Sequence, residues 1–154
     1  MKSVVAFSAL ALLASIAVAK PLSKDAALKV MHERHEGMEA IGKTNKVLRR
    51  ELTADAPNMG EVRGDAKGMA NLAGKSSRWF VDGTGPDVGK TGAKPEIWKQ
   101  KADFNAKLRD FQDAAKALQA AAAKGDGNAI KAGYANLGKT CQACHDSYRT
   151  DMHH

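Results

Sequence analysis

Apolar positions recur at helical spacing along most of the chain. From Ser23 to about Leu52, residues Leu28, Met31, Met38, Ile41, Leu48 and Leu52 fall three, four or seven apart, which is one face of an amphipathic helix. Ser23, followed by Lys24 and Asp25, is suited to cap its N-terminus. Arg34 and His35 interrupt the stripe with polar side chains. A second stripe, Met59, Val62, Ala66, Met69 and Ala73, predicts a helix entered at Pro57, a residue favoured in the first turn, and ending near Ser77 to Phe80. Gly60, Gly64, Gly68 and Gly74 weaken its intrinsic propensity and would allow close approach by a neighbour.

Val81 to Lys94 holds Asp82-Gly83-Thr84-Gly85-Pro86 and the glycines from Gly89 to Gly92, so it reads as a loop. No Gly-Lys-Ser/Thr pattern follows a strand, which argues against a phosphate-binding loop. A surface connection is expected. A third helix is predicted from Pro95, with Ile97, Phe104, Leu108, Phe111, Ala115, Leu118 and Ala122 as its stripe and Lys101 as the exception. Gly125-Asp126-Gly127 ends it. The fourth helix carries Ile130, Tyr134, Leu137, Cys141, Cys144 and Tyr148. Four amphipathic helices, three joined by short connections, predict an all-α, antiparallel up-and-down four-helix bundle.

The length of 154 residues favours one domain, and two cysteines exclude a multi-disulfide scaffold. Aromatic residues make up only 5% of the chain, which argues against an all-β fold and raises the question of what fills the core. Met1 to Ala19 has the form of a secretory signal. Lys2 supplies the positive end, Val4 to Val18 is apolar apart from Ser8 and Ser15, and Ala17-Val18-Ala19 offers small residues for cleavage. The run is short for a membrane span of about 20 residues. Cleavage after Ala19 is expected, leaving residues 20–154 as an exported, periplasmic domain with no membrane span. Removing Lys2 lowers the net charge from +7 to +6. Export argues against nucleic acid as the partner of that charge. Steering of acidic redox proteins is the better expectation.

The strongest local signal is Cys141-Gln142-Ala143-Cys144-His145. CxxCH is the attachment pattern of c-type haem. Two thiols at this spacing reach two vinyl groups on one porphyrin edge, and the adjacent imidazole reaches the iron. Cys141 and His145 share a helix face. Both cysteines also lie on the apolar stripe, which places an attached porphyrin inside the bundle. The competing readings are a thiol-redox CxxC, which ordinarily accompanies a βαβ pattern absent here, and a metal site. A structural zinc site needs four ligands. With no second CxxC, His32, His35, His153 and His154 would have to contribute. A disulfide between the two cysteines is a further alternative.

The chain resembles the class II c-type cytochromes, the cytochrome c-prime and cytochrome c556 family. The matching residues are Cys141-Gln142-Ala143-Cys144-His145-Asp146-Ser147-Tyr148-Arg149 at the C-terminal end, and Lys94-Pro95-Glu96-Ile97-Trp98. The Gly83-Thr84-Gly85 loop and Arg34-His35-Glu36-Gly37-Met38 match as well. The resemblance implies one covalently bound haem c on a four-helix bundle. Cys141 and Cys144 would be the thioether anchors and His145 the axial iron ligand. Arg34 would pair with a propionate, with side-chain snorkelling to solvent as the alternative. His35 would lie at the haem edge or be merely exposed. Arg149 would sit on the proximal side or be a solvated cation at a helix end. Tyr148, on the stripe, is expected in the core.

Met38 matches the distal position, one helical turn beyond Arg34. If its sulfur binds iron, the haem is six-coordinate and low-spin, as in a c556-type electron carrier. If it only packs, the iron is five-coordinate and open to nitric oxide or carbon monoxide. The implied function is periplasmic electron transfer, with gas binding in the second case. Redox proteins and a second copy of the chain are the implied partners, the glycines of the first two helices permitting a homodimer. No catalytic arrangement is visible, so an enzyme is not expected.

Overall fold

The computed structural model describes residues 21–150. The predicted signal, Met1 to Ala19, lies outside them, as do His153 and His154. Helix α1 spans Lys24–Thr53, and the Ser23 hydroxyl accepts from the Ala26 N–H at its start. Helix α2 spans Met59–Lys75 and continues as a 3-10 turn, Ser76–Arg78. It begins two residues later than Pro57 suggests, because the Asn58 side chain accepts from the N–H groups of Gly60 and Glu61 and so caps the helix.

The predicted third helix is two pieces, α3 (Glu96–Lys99) and α4 (Lys101–Lys124). They meet at Gln100, which leaves the helical basin at φ −114° and ψ 46°. The division lets α3 serve a different neighbour: the Trp98 indole N–H donates to the Val81 carbonyl at 2.9 Å, tying α3 to the loop before it. Gly125 closes α4 in the left-handed conformation, φ 74°. Asp126 then caps α5 (Gly127–Tyr148) through the N–H groups of Asn128 and Ala129.

These helices form an antiparallel up-and-down four-helix bundle, with α3 as a short entry to α4. The core runs between Leu48, Val62, Met69, Leu108, Leu118, Ile130 and Leu137. Its aromatic part is concentrated at one end. Phe104 sits edge-on to Phe80 at 4.8 Å and to Tyr148 at 5.2 Å. On α1 the buried face is Ala27, Met31, Arg34, Gly37, Ile41 and Leu48. Leu28, counted on the stripe from its spacing, is 40% exposed. It stands one position round the helix from Ala27, which takes the buried place.

Close helix approach occurs elsewhere than expected. A Cβ on Gly64, Gly68 or Gly74 would meet nothing within 4 Å. A Cβ on Gly133 of α5 would instead lie 3.4 Å from the Leu118 backbone of α4.

Packing runs from α1 to α2, from α2 to α4 and from α4 to α5. The α5–α1 side, which would close the ring, is thinly packed. It is joined where the Tyr134 hydroxyl of α5 donates to Asn45 Oδ1 of α1 at 3.0 Å. Met38, Tyr134, Cys141 and Cys144 are half-buried residues packed against the core.

Candidate functional site

Arg34 is 5% exposed, so its side chain does not snorkel to solvent. Nη1 donates to the Trp79 carbonyl at 3.0 Å and to Thr84 Oγ1 at 3.2 Å. Nη2 donates to the Thr84 carbonyl at 3.0 Å and to Thr91 Oγ1 at 3.1 Å. The Phe80 and Trp98 rings lie 5.3 and 5.7 Å from the guanidinium carbon. Burial lowers the Arg34 pKa to about 10. Every oxygen on this cation is neutral, and no carboxylate among the described residues pairs with it. A buried cation without a counter-charge is costly, so the position favours an anion.

The loop from 81 to 95 is therefore more than a surface connection. Thr84 is fully buried and donates to the Val81 carbonyl while accepting from Arg34. The loop also docks on the end of α5. Lys94 N–H donates to the Tyr148 carbonyl and Thr150 N–H to the Gly92 carbonyl, both at 2.9 Å, and Ala93 bridges to Arg149. One segment thus links the buried arginine of α1 to the CxxCH end of α5. Thr84, Thr91 and Trp79 were not legible as partners of Arg34, because their roles rest on hydroxyls and a carbonyl in an aperiodic segment. The interrupted stripe signals only that Arg34 needs partners.

Cys141 and Cys144 are free thiols, one turn apart and half-buried. Burial pushes the Cys141 thiol up. Burial, then the Cys141 neighbour, pushes Cys144 up to about 11. Both stay protonated near neutral pH, unlike the lowered pKa of a redox-active CxxC. His145 is exposed, and partial desolvation, then Arg149, lowers its pKa, which keeps the imidazole neutral and able to ligate. Arg149 is itself exposed. His35 is 59% exposed and lies 3.5 Å from Glu39, on the solvent side of α1. Tyr148 is buried as expected, its hydroxyl donating to Asp103. Among the described residues no cluster of three or more His, Cys, Asp or Glu is placed to hold a bare metal ion, and no helix is long and apolar enough to cross a membrane.

Residues 29–149 match the family described as Cytochrome C'. The chain belongs to this family. Cytochrome c' from Rhodospirillum rubrum is 34% identical over 98% of this chain and the whole of that protein. Cytochrome c-556 from Rhodopseudomonas palustris is 29% identical over 97% of each. Among solved structures, a cytochrome c' with an unusual ligand-controlled dimer dissociation superposes with a TM-score of 0.74 at 27% identity, covering 86% of this chain and all of that one. A nitric oxide complex of a variant cytochrome c prime from Alcaligenes xylosoxidans superposes at 0.73 with 26% identity, over 86% of this chain and all of that one.

The cofactor of this cytochrome c' family member is haem c. The residues present fit it. Two half-buried free thiols and an adjacent imidazole stand on α5, and a buried cation without a counter-ion stands on α1.

Proposed function

We propose that the chain is an exported, periplasmic haem c protein that transfers electrons and binds a small gas at a five-coordinate iron. The proposed mature unit is residues 20–154, after removal of residues 1–19. Bound haem would supply one-electron chemistry and a place for a diatomic ligand. Cys141 and Cys144 would hold the cofactor by thioether bonds, and His145 would ligate the iron through one ring nitrogen. Arg34, caged by the 79–98 segment, faces a propionate. Arg149 lies at the proximal edge, and His35 at the exposed periphery of the haem edge. The observation that carries this reading is an anion-seeking buried arginine on α1 and two free, half-buried thiols on α5, with one loop hydrogen-bonded both to the arginine and to the end of α5. Met38, half-buried and packed against the core, serves as the distal wall. The nitric oxide complex of the Alcaligenes relative supports gas binding.

A second reading makes Met38 the sixth ligand and the chain a low-spin electron carrier. Its support is the half-buried place of Met38 against the core and the match to a c-556 protein. A homodimer is proposed on the likeness to the relative whose dimer dissociates under ligand control. Acidic redox proteins are the proposed electron partners, attracted by the net positive charge.

Expression with cytochrome c maturation machinery tests the attachment. A Soret band that survives denaturation in wild-type protein, and is lost from the Cys141→Ala, Cys144→Ala double variant, is expected. A wild-type product with no Soret band would restore the thiol-redox and metal-binding alternatives.

A further inference from the structure

The donors around Arg34 leave two without a protein acceptor, both open to solvent. A guanidinium carries five N–H groups, and four of them are taken by Trp79, Thr84 and Thr91. The Nε–H has no protein acceptor among the described residues and is open to solvent, because no fully buried side-chain nitrogen or oxygen there lacks a partner. A hydroxyl offers two acceptor lone pairs and one O–H. Thr84 uses its O–H on the Val81 carbonyl. Thr91 Oγ1 accepts from Arg34 Nη2 and from the Ala93 N–H, both at 3.1 Å, which fills its acceptor capacity. Its O–H is left over. The two spare donors are neighbours, because Nε and Nη2 share one carbon and Nη2 is bonded to Thr91. Two adjacent donors, one on a buried cation, match the two oxygens of a carboxylate.

We propose that Thr91 is a second ligand to the carboxylate that Arg34 faces, donating its hydroxyl to the haem propionate beside the Nε–H. This rests on the reading of Arg34 as the propionate partner. Thr84 is a positioning residue: its carbonyl and hydroxyl both hold the guanidinium, and with Trp79 and Thr91 they leave only the Nε–H free. The donor pair draws negative charge away from the haem edge. Losing a donor therefore favours the ferric form and lowers the reduction potential.

Midpoint potentials of holo-protein variants test this. Arg34→Gln should lower the potential, and Thr91→Val should lower it by less. Thr91→Ser should stay near wild type. The double variant should fall short of the summed shifts, since both donors act on one carboxylate. If Arg34→Gln lowers the potential and Thr91→Val does not, Thr91 is not a ligand while the Arg34 reading stands. Additive shifts, or a Thr91→Ser protein matching Thr91→Val, overturn the proposal as well. If neither Arg34→Gln nor Thr91→Val moves the potential, the propionate reading itself falls. Should Arg34→Gln fail to fold, the propionate bending bands in resonance Raman spectra of the Thr91→Val and Thr91→Ser proteins decide. A band shift in the valine variant alone supports the hydroxyl contact, and unchanged bands in both overturn it.

Discussion

The Tyr134 hydroxyl of α5 donates to Asn45 Oδ1 of α1 at 3.0 Å and sets the register across the thin side of the bundle. The two helices are antiparallel. Met38 lies seven residues before Asn45, and Cys141 seven after Tyr134. Seven residues are about two turns, or roughly 10.5 Å of rise, so Met38 and Cys141 come to about the same level along the bundle. By the same count, Arg34 comes level with His145. Tyr134→Phe removes this clasp without removing the ring. A loss of about 0.5–1 kcal/mol is expected, measured by denaturant unfolding of the holo-protein.

Gly37 lies beneath the Trp79 indole, and a Cβ there would come within 2.3 Å of two ring carbons. Gly37→Ala should therefore destabilise by about 1–3 kcal/mol, as overpacking against a buried ring does. Gly42, one and a half turns along the same helix, has nothing within 4 Å of an added Cβ. Gly42→Ala should stabilise by about 0.5–1 kcal/mol through helix propensity. Parallel thermal unfolding of the two variants checks the contrast, and equal effects would count against the Trp79 placement.

The helices were legible in the sequence because burial on one face of a helix imposes a period. Phe104, Leu108, Phe111, Ala115, Leu118 and Ala122 are all buried, as their spacing requires. CxxCH was legible because its chemistry lies in five consecutive residues. Arg34 was legible as an anomaly, and its burial confirms that a cation on an apolar stripe has partners. The partners themselves were hidden. Thr84 and Thr91 lie 50 and 57 residues away in a loop with no period, and they act through single hydroxyls and a carbonyl. The break at Gln100 was hidden for a related reason. Ile97 and Phe104 keep the same stripe spacing whether or not the helix is interrupted between them.

Tyr148 gives the clearest pH dependence. Burial, then its bond to Asp103, pushes its pKa up to about 12. Unfolded, it ionises near 10. The stability it contributes is complete below about pH 10 and is lost as pH rises through about 12. Ultraviolet difference titration of wild-type and Tyr148→Phe proteins should assign one tyrosinate transition near 12 to this residue. A Tyr148 transition near 10 would contradict the buried contact.

Residues at the thin side are only half-buried by protein, so the cofactor is expected to complete the core there. This answers the shortage of aromatic residues seen in the composition. The Cys141→Ala, Cys144→Ala protein, made without haem, should melt at markedly lower temperature and expose more apolar surface to a fluorescent dye than the holo-protein. The α2–α4 packing should persist as residual helix in circular dichroism. A double variant as stable as the holo-protein would show that the cofactor adds little to the core.

The most direct test of the central claim is the absorbance spectrum of the ferrous protein before and after carbon monoxide. A five-coordinate iron between His145 and a core-packed Met38 predicts a broad high-spin spectrum whose Soret band sharpens and shifts on adding the gas. A sharp low-spin α-band, unmoved by carbon monoxide and lost in Met38→Ala, would contradict it and assign Met38 to the iron.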